Sequence, residues 1–389
     1  MSPTVAVIAE GDANTADCWS GSGQKFVEAL REAGVKVDVY DASLRSWPRA
    51  VAAMLTYHPR PARWRQRYGL SAVPFLAKSV RVDRALNARA VRYDAIIQIG
   101  ATFSVGGGSR RETPYVLYCD SNLAHSRRGA PYSAASRLSD REFTAALKRE
   151  KDIYDAADRI WVMSDALARS FRTDFGQAPE KIVTIYAGMN NPPNPVRDAR
   201  RLPRILFVGK DHARKGSAVL LEAFALVRRA IPDAELHMVG RPRLELDPPG
   251  VLAHGVVSRE TEAGRTLLDN LFSTSSIFCM PSRYEPFGIA FVEAMSAGIP
   301  CVGTTEWAMP EIIENGKTGW LVADGAVDDL ARVLIAALRQ PALCAELGTR
   351  GRERALARFT WERVAARAIA DLQSMLGLGI SEHSTTVAV

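Results

Sequence analysis

The sequence has no apolar run of membrane-span length, no Cys-x-x-Cys pair, no histidines at metal-ligand spacing and no Asp-x-Asp pair. A spanning helix needs about 20 consecutive apolar residues, so no crossing segment is expected. The five cysteines, Cys18, Cys119, Cys279, Cys301 and Cys344, are odd in number and widely scattered. That argues against a disulfide framework or a zinc site and suits a reducing compartment. The chain passes almost at once from Met1 into the apolar run Thr4–Ala9, with neither a basic flank nor a small-residue cleavage site. This predicts a first strand instead of a secretion signal, and the expected location is cytoplasmic. Internal repeats and low-complexity tracts are also missing.

What is present is an ordinary globular balance. Of 389 residues, 47% are hydrophobic and 24% charged, enough for two domains with separate cores. The formal charge of +7 is unevenly spread: between Ala42 and Arg92 there are eleven Lys or Arg and a single acid, Asp83. A local excess of about ten charges is either a solvated arginine-rich surface or a field that attracts an anionic partner.

Short apolar runs alternate with amphipathic stretches, the pattern of an α/β chain with parallel sheets. Strands are expected at Thr4–Ala9, Val35–Tyr40, Asp94–Ile99, Pro114–Tyr118, Arg159–Met163 and Lys181–Ile185, with helices at Gln24–Ala33 and Ser139–Ala157. The run Ala187–Pro195, with three prolines in four residues, reads as a linker. The alternation then restarts with strands Ile205–Val208, Ala234–Val239, Ile277–Met280 and Pro300–Val302. Helices are expected at Ser217–Ala230, Ile289–Ala297, Val327–Leu338 and Leu343–Arg358. A last helix opens at Thr360, a suitable N-cap, and runs to about Leu376. The expected division is residues 1–190 plus the last helix, 360–376, and residues 204–358.

Two constellations carry chemistry. The first, Gly209-Lys-Asp-His-Ala-Arg-Lys-Gly216, lies between a strand and a helix and brings Lys210, Arg214 and Lys215 near one strand end. In an open α/β sheet that position suits a phosphate; the spacing is not that of a Walker loop. The second is Glu285-Pro-Phe-Gly-Ile-Ala-Phe-Val-Glu293. Here Phe287, Gly288 and Ile289 place backbone N–H groups at a helix N-terminus, a natural anion site. Glu293 sits among apolar neighbours, where a carboxylate is costly unless paired or facing a ligand. It is either a salt-bridged glutamate or an acceptor for a ribose diol.

The pair Glu285…Glu293 and its surroundings resemble the retaining GT-B-fold glycosyltransferases of family 4. Other pieces are similar in order and spacing: the glycine loop Ser20–Gly23, the stretch Ala157–Ser164, Ile185–Gly188, Met238–Gly240, Thr305–Glu311 and Asn315–Gly319. The resemblance implies two Rossmann-like domains facing across a cleft, with the last helix crossing back to the N-terminal domain. It implies that Lys215 and Lys210 hold the diphosphate of a nucleotide-sugar donor, UDP- or GDP-linked, and that Glu293 binds its ribose. Glu285 would contact the transferred sugar, the Phe287–Ile289 backbone would bind phosphate or sugar oxygens, and Gly21 and Gly23 would close on the diphosphate. The acceptor-side position is Asp120, which could orient an acceptor hydroxyl or cap a turn; His125 is a second candidate. The family implies retention of anomeric configuration. With no Asp-x-Asp pair, fixed cations are expected in place of a metal and no cofactor is expected.

Two other readings stay open, a GT-B sugar-nucleotide epimerase and a non-catalytic nucleotide-sugar-binding subunit. Nucleic acid is not an expected partner, since the arginine-dense run His58–Tyr68 of the basic stretch offers no interleaved stacking platform apart from Trp64 and Tyr68. In that stretch Arg60, Arg63, Arg65 and Arg67 flank those two aromatics, which suits an anionic membrane surface or acceptor, or else a solvated loop.

Overall fold

The computed structural model describes residues 3–89, 91–106, 113–194, 202–241 and 248–377. Two six-stranded sheets divide the chain. The first has β1 (Thr4–Ala9), β2 (Lys36–Asp41), β3 (Ala95–Ile99), β4 (Tyr115–Cys119), β5 (Arg159–Val162) and β6 (Ile182–Thr184) in the order β2-β1-β3-β4-β5-β6. The second has β7 (Leu202–Val208), β8 (Glu235–Val239), β9 (Val251–Gly255), β10 (Ser275–Cys279), β11 (Cys301–Thr304) and β12 (Gly319–Val322) in the order β12-β11-β10-β7-β8-β9. Every strand pairing is parallel. Every residue of β3, β4 and β10 is buried, as parallel sheets covered by helices on both faces require.

This topology fixes where ligands can sit. Strand order reverses between β1 and β3 in the first sheet and between β7 and β10 in the second. At such switch points adjacent loops diverge beyond the carboxyl ends of the strands and leave a crevice. The loops after β1, β3 and β4 and those after β7 and β10 are the ones that line the two cavities described below.

The last helix, Trp361–Met375, begins at an N-cap where Thr360 accepts the Arg363 N–H. It packs on the first half of the chain. Asp371 accepts the Trp161 indole N–H at 2.8 Å, and the Trp361 indole donates to Asn190 at 3.1 Å.

Most expected elements occur within a few residues of their expected bounds, and Ser217–Ala230 and Val327–Leu338 coincide with theirs. Residues 185–194 carry no helix or strand, as expected of a linker; Pro195–Arg201 lie outside the described residues. The basic stretch differs from the solvated loop considered above. It folds as three helices, Ser46–Leu55, Pro61–Leu70 and Ala72–Asn87. Pro61–Leu70 has no buried residue, so no buried stripe marks it as a helix in the sequence.

Candidate functional site

Gly209–Gly216 turns beyond the end of β7, and Pro281–Gly288 does the same beyond β10. Two glycines make this close approach feasible. Gly216 has φ +72°, and a side chain there would collide with the Pro281 carbonyl. Gly288 has φ +105° and would press a Cβ onto Phe291. Both lie in the left-handed region that favours glycine.

The apposed loops build a charged cluster. Arg214 Nη1 donates to the Tyr284 carbonyl at 2.8 Å and to Glu285 Oε2 at 3.2 Å. Lys215 Nζ lies 3.9 Å from the same Glu285 oxygen. Burial pulls the Lys215 ammonium below the usual lysine range, and the Glu285 carboxylate opposes that shift. Glu285 itself is buried, so its charge is compensated by two cations in a site of reduced dielectric. Beside them, Phe287, Gly288 and Ile289 open the helix Ile289–Ser296, whose first N–H groups have no intrahelical acceptor.

These residues line a cavity of about 490 Å³ that the other half completes with Trp19, Ser20, Ser22, Asp120, Tyr132 and Met163. Asp120 therefore faces the Lys215–Glu285 cluster across the cleft. Burial pushes its carboxyl above the usual range, against the Trp19 side chain and the N–H groups of Asp120 and Ser121, which donate to it.

Some expected site residues lie elsewhere. Lys210 is exposed and is not among the cavity residues; Arg214 stands where a second cation was expected. Gly21 and Gly23 do not line the cavity either. Ser20 and Ser22 of the same turn do, while Gly23 lies against Cys18 within the helix Ser22–Glu32. Glu293 is not among the cavity residues and accepts the Asn191 N–H at 2.8 Å. Burial raises its carboxyl to about 7, opposed by that hydrogen bond and by Arg259 and Lys215. His125 is buried against Trp307 of the opposite half, ring centroids 4.9 Å apart, and burial lowers it to about 4. It is neutral at physiological pH and is not among the cavity residues.

A second cavity, about 470 Å³, opens from the first at the β1/β3 switch point. Trp19, Asp120, Tyr284 and Pro286 line both. Tyr284 is the partition: it packs against Gly129 and its hydroxyl lies 3.1 Å from Ser121 Oγ. Sequence reasoning missed Tyr284 and Trp19, although each adjoins a motif residue. It also missed Glu150, for which a signal existed. Ala146, Glu150, Ile153 and Tyr154 share one helical face, so a carboxylate stands on an apolar stripe.

The halves are further tied by Glu311, whose carboxylate accepts the N–H groups of Asp165 and Ala166 at 2.6 and 2.7 Å. It caps the helix Asp165–Phe175 from across the cleft. Among the described residues, no cluster of three or more His, Cys, Asp or Glu could hold a metal ion, and no helix is long and apolar enough to cross a membrane.

Two family models match the chain: Glycosyltransferase Family 4 over residues 24–191 and Glycosyl transferases group 1 over residues 195–354. The chain is similar to MMP alpha-(1->4)-mannosyltransferase of Mycolicibacterium hassiacum, with 30% identity over 59% of this chain and 57% of that protein. It is also similar to phosphatidyl-myo-inositol mannosyltransferase of Mycobacterium leprae, 33% identical over 42% of this chain and 44% of that one. The matched region thus spans about half the length of these relatives. In three dimensions it resembles sucrose-phosphate synthase from Thermosynechococcus elongatus, with a TM-score of 0.72 and 23% identity over 96% of this chain and 99% of that one. Two family models that join end to end across both sheets, and a solved structure superposing on nearly the whole chain, leave one assignment: the chain belongs to the family 4 glycosyltransferases, with the GT-B arrangement of two parallel-sheet halves.

Proposed function

We propose that this chain transfers a sugar from a nucleoside diphosphate donor, UDP- or GDP-linked, to an acceptor hydroxyl, with retention of anomeric configuration and without a metal ion. The observation that carries the reading is the convergence of Lys215, Arg214, Glu285 and the N-terminus of Ile289–Ser296 on one cavity that Asp120 enters from the other half. Lys215 and the helix N-terminus hold the diphosphate and neutralise it as the anomeric bond breaks. Removing one such donor typically slows an enzyme by about 10²–10³. Arg214 fixes Glu285, which contacts the transferred sugar. Glu293 accepts from the ribose hydroxyls. Asp120 orients the acceptor hydroxyl, which attacks on the leaving-group face.

Both curated relatives described above are named for mannosyl transfer, so GDP-mannose comes first in a donor screen that includes UDP-, ADP- and TDP-sugars. The test is transfer from that panel to sugar, inositol and lipid-linked acceptors, with the product anomer read by NMR. Inversion, or neither transfer nor donor hydrolysis with any donor, would refute the reading.

A separate observation supports peripheral contact with an anionic membrane. Nine of the twelve large apolar side chains exposed among the described residues lie between Trp47 and Val91. Trp47, Val51, Met54 and Leu55 form an outward stripe on one helix, and Val73, Leu76 and Val80 form another. Exposed Arg49, Arg60, Arg65, Arg81 and Arg84 accompany them. Basic side chains around an apolar stripe suit the interface of an anionic bilayer. Of the residues expected from sequence, Arg60 and Arg65 are among the exposed ones, while Arg63, Trp64, Arg67 and Tyr68 are partly buried. The Trp64 indole donates inward to the Ala53 carbonyl, while Arg63 and Arg67 pair with Glu142. Flotation with phosphatidylglycerol vesicles at low salt is expected, and Trp47→Ala with Met54→Ser should abolish it; indifference to vesicles at low salt would refute the contact.

A further inference from the structure

Tyr284 precedes Glu285 in the chain, yet its side chain reaches across to the other half of the molecule. Its hydroxyl lies 3.1 Å from that of Ser121, the residue after Asp120. The Ser126 side chain supplies a second hydrogen bond. The ring is buried and lies against Gly129 of the first half. It also meets the Trp307 indole edge-on, 4.8 Å between centroids, and Trp307 meets His125 of the first half in the same way at 4.9 Å.

Both ends of this crossing are fixed. On the Glu285 side three successive carbonyls each accept from a side chain. Ser282 accepts from the Thr304 hydroxyl at 3.0 Å, Arg283 from the Trp307 indole at 2.9 Å and Tyr284 from Arg214 at 2.8 Å. On the Asp120 side, Glu150 accepts the Leu123 N–H at 2.8 Å. Asn122, bonded to Ser170 at 3.1 Å, accepts the His125 N–H at 2.7 Å. A tyrosine has only two side-chain torsions, so a ring packed between two such loops holds a set span.

We infer that Tyr284 is a positioning residue: through Ser121 and Ser126 it sets how far apart, and at what angle, Asp120 and Glu285 stand across the cleft. This rests on the roles proposed above for those two carboxylates. Reacting groups tolerate little displacement, and a shift of about 1 Å can cost about 10²-fold in rate. Gly129 belongs to the same arrangement. Its φ of −79° is open to any residue, but a Cβ there would lie 2.4 Å from the Tyr284 ring. Glycine at this position makes room for the ring and answers no demand of the backbone.

The test compares the full chain with Tyr284→Phe, with Ser121→Ala plus Ser126→Ala, with all three changes together, and with Gly129→Ala. Affinity for GDP or UDP, by calorimetry, should match wild type in every form. Transfer kcat should fall about tenfold in Tyr284→Phe, the scale of a neutral hydrogen bond, and about 10²-fold in Gly129→Ala. The phenol and the two serines share one set of bonds. In kcat and in thermal unfolding, the combined form should therefore fall well short of the summed effects of its parts. Nucleotide affinity that weakens in step with kcat would make Tyr284 a donor contact and overturn the inference. So would additive effects in the combined form, or a Gly129→Ala chain with wild-type turnover and stability. A wild type that transfers no sugar from any donor would instead sink the transferase reading. The unfolding cycle and the stability of Gly129→Ala would then decide alone whether Tyr284 holds the two loops together.

Discussion

Replacing Glu293 by Gln separates two effects of one partly buried carboxyl. In the folded chain Glu293 titrates near 7, against an ordinary value of 4.5, because burial disfavours its charge. The folded state therefore holds this proton more tightly than the unfolded state. The stability linked to the group is complete below pH 4.5 and is lost as pH rises through 7. At about 1.4 kcal/mol per pH unit, the ionised carboxyl costs the folded state up to about 3 kcal/mol at pH 8. Glu293→Gln keeps the shape without the charge, so its melting temperature should exceed wild type by several degrees at pH 8 and match it near pH 4. Nucleotide binding should move the other way. If the ribose hydroxyls donate to this carboxylate, the ligand favours the ionised form. Wild-type affinity for GDP or UDP, measured by calorimetry, should then strengthen from pH 6 to pH 8. The Gln variant should show a flat profile and, at pH 8, a loss of about ten- to a hundredfold, the equivalent of a charged hydrogen bond at roughly 1.5–3 kcal/mol. A variant that binds nucleotide as tightly as wild type at pH 8, or a wild-type profile without slope, would refute the placement of the ribose.

Three further outcomes can be checked directly. Lys215→Ala should lower kcat by about 10²–10³ with a smaller change in donor affinity; unchanged turnover at saturating acceptor would remove Lys215 from the diphosphate. Activity should survive excess EDTA, since Lys215 and Arg214 supply fixed charge; loss on chelation with rescue by Mg²⁺ or Mn²⁺ would contradict this. Glu311→Ala removes the carboxylate that caps the helix Asp165–Phe175 across the cleft. It should cost about 1–2 kcal/mol in thermal unfolding and increase the radius of gyration by X-ray scattering, and no change in either would show that the cap does not hold the halves together.

The sheets were legible because parallel strands buried on both faces read as apolar runs; β1 spans the very residues expected of it. The lining of the cavity between the halves was legible where a motif lies on one loop, as with Lys215, Glu285 and Gly288. What escaped depends on contacts between distant segments. Lys210 and Arg214 flank the same loop, and only the tertiary turn decides which of them meets Glu285. Tyr284 reads as a spacer in its motif, yet it stands between two cavities because Gly129 leaves room for its ring. The helix Pro61–Leu70 hides because all of its residues are at least partly exposed, so the sequence shows only arginines.

The helix Trp361–Met375 has a consequence for how the protein is made. The Trp161 indole finds its acceptor in Asp371, and Phe26 meets Trp361 at 6.2 Å between ring centroids. On a ribosome adding about 5–20 residues per second, the half that is synthesised first waits about 10–40 s for these partners. Through that interval the surface around Trp161 and Phe26 lacks its cover while the second half is being translated. The first half is thus completed last, and a nascent chain stalled before Trp361 would present an apolar face to chaperones or to a neighbouring nascent chain.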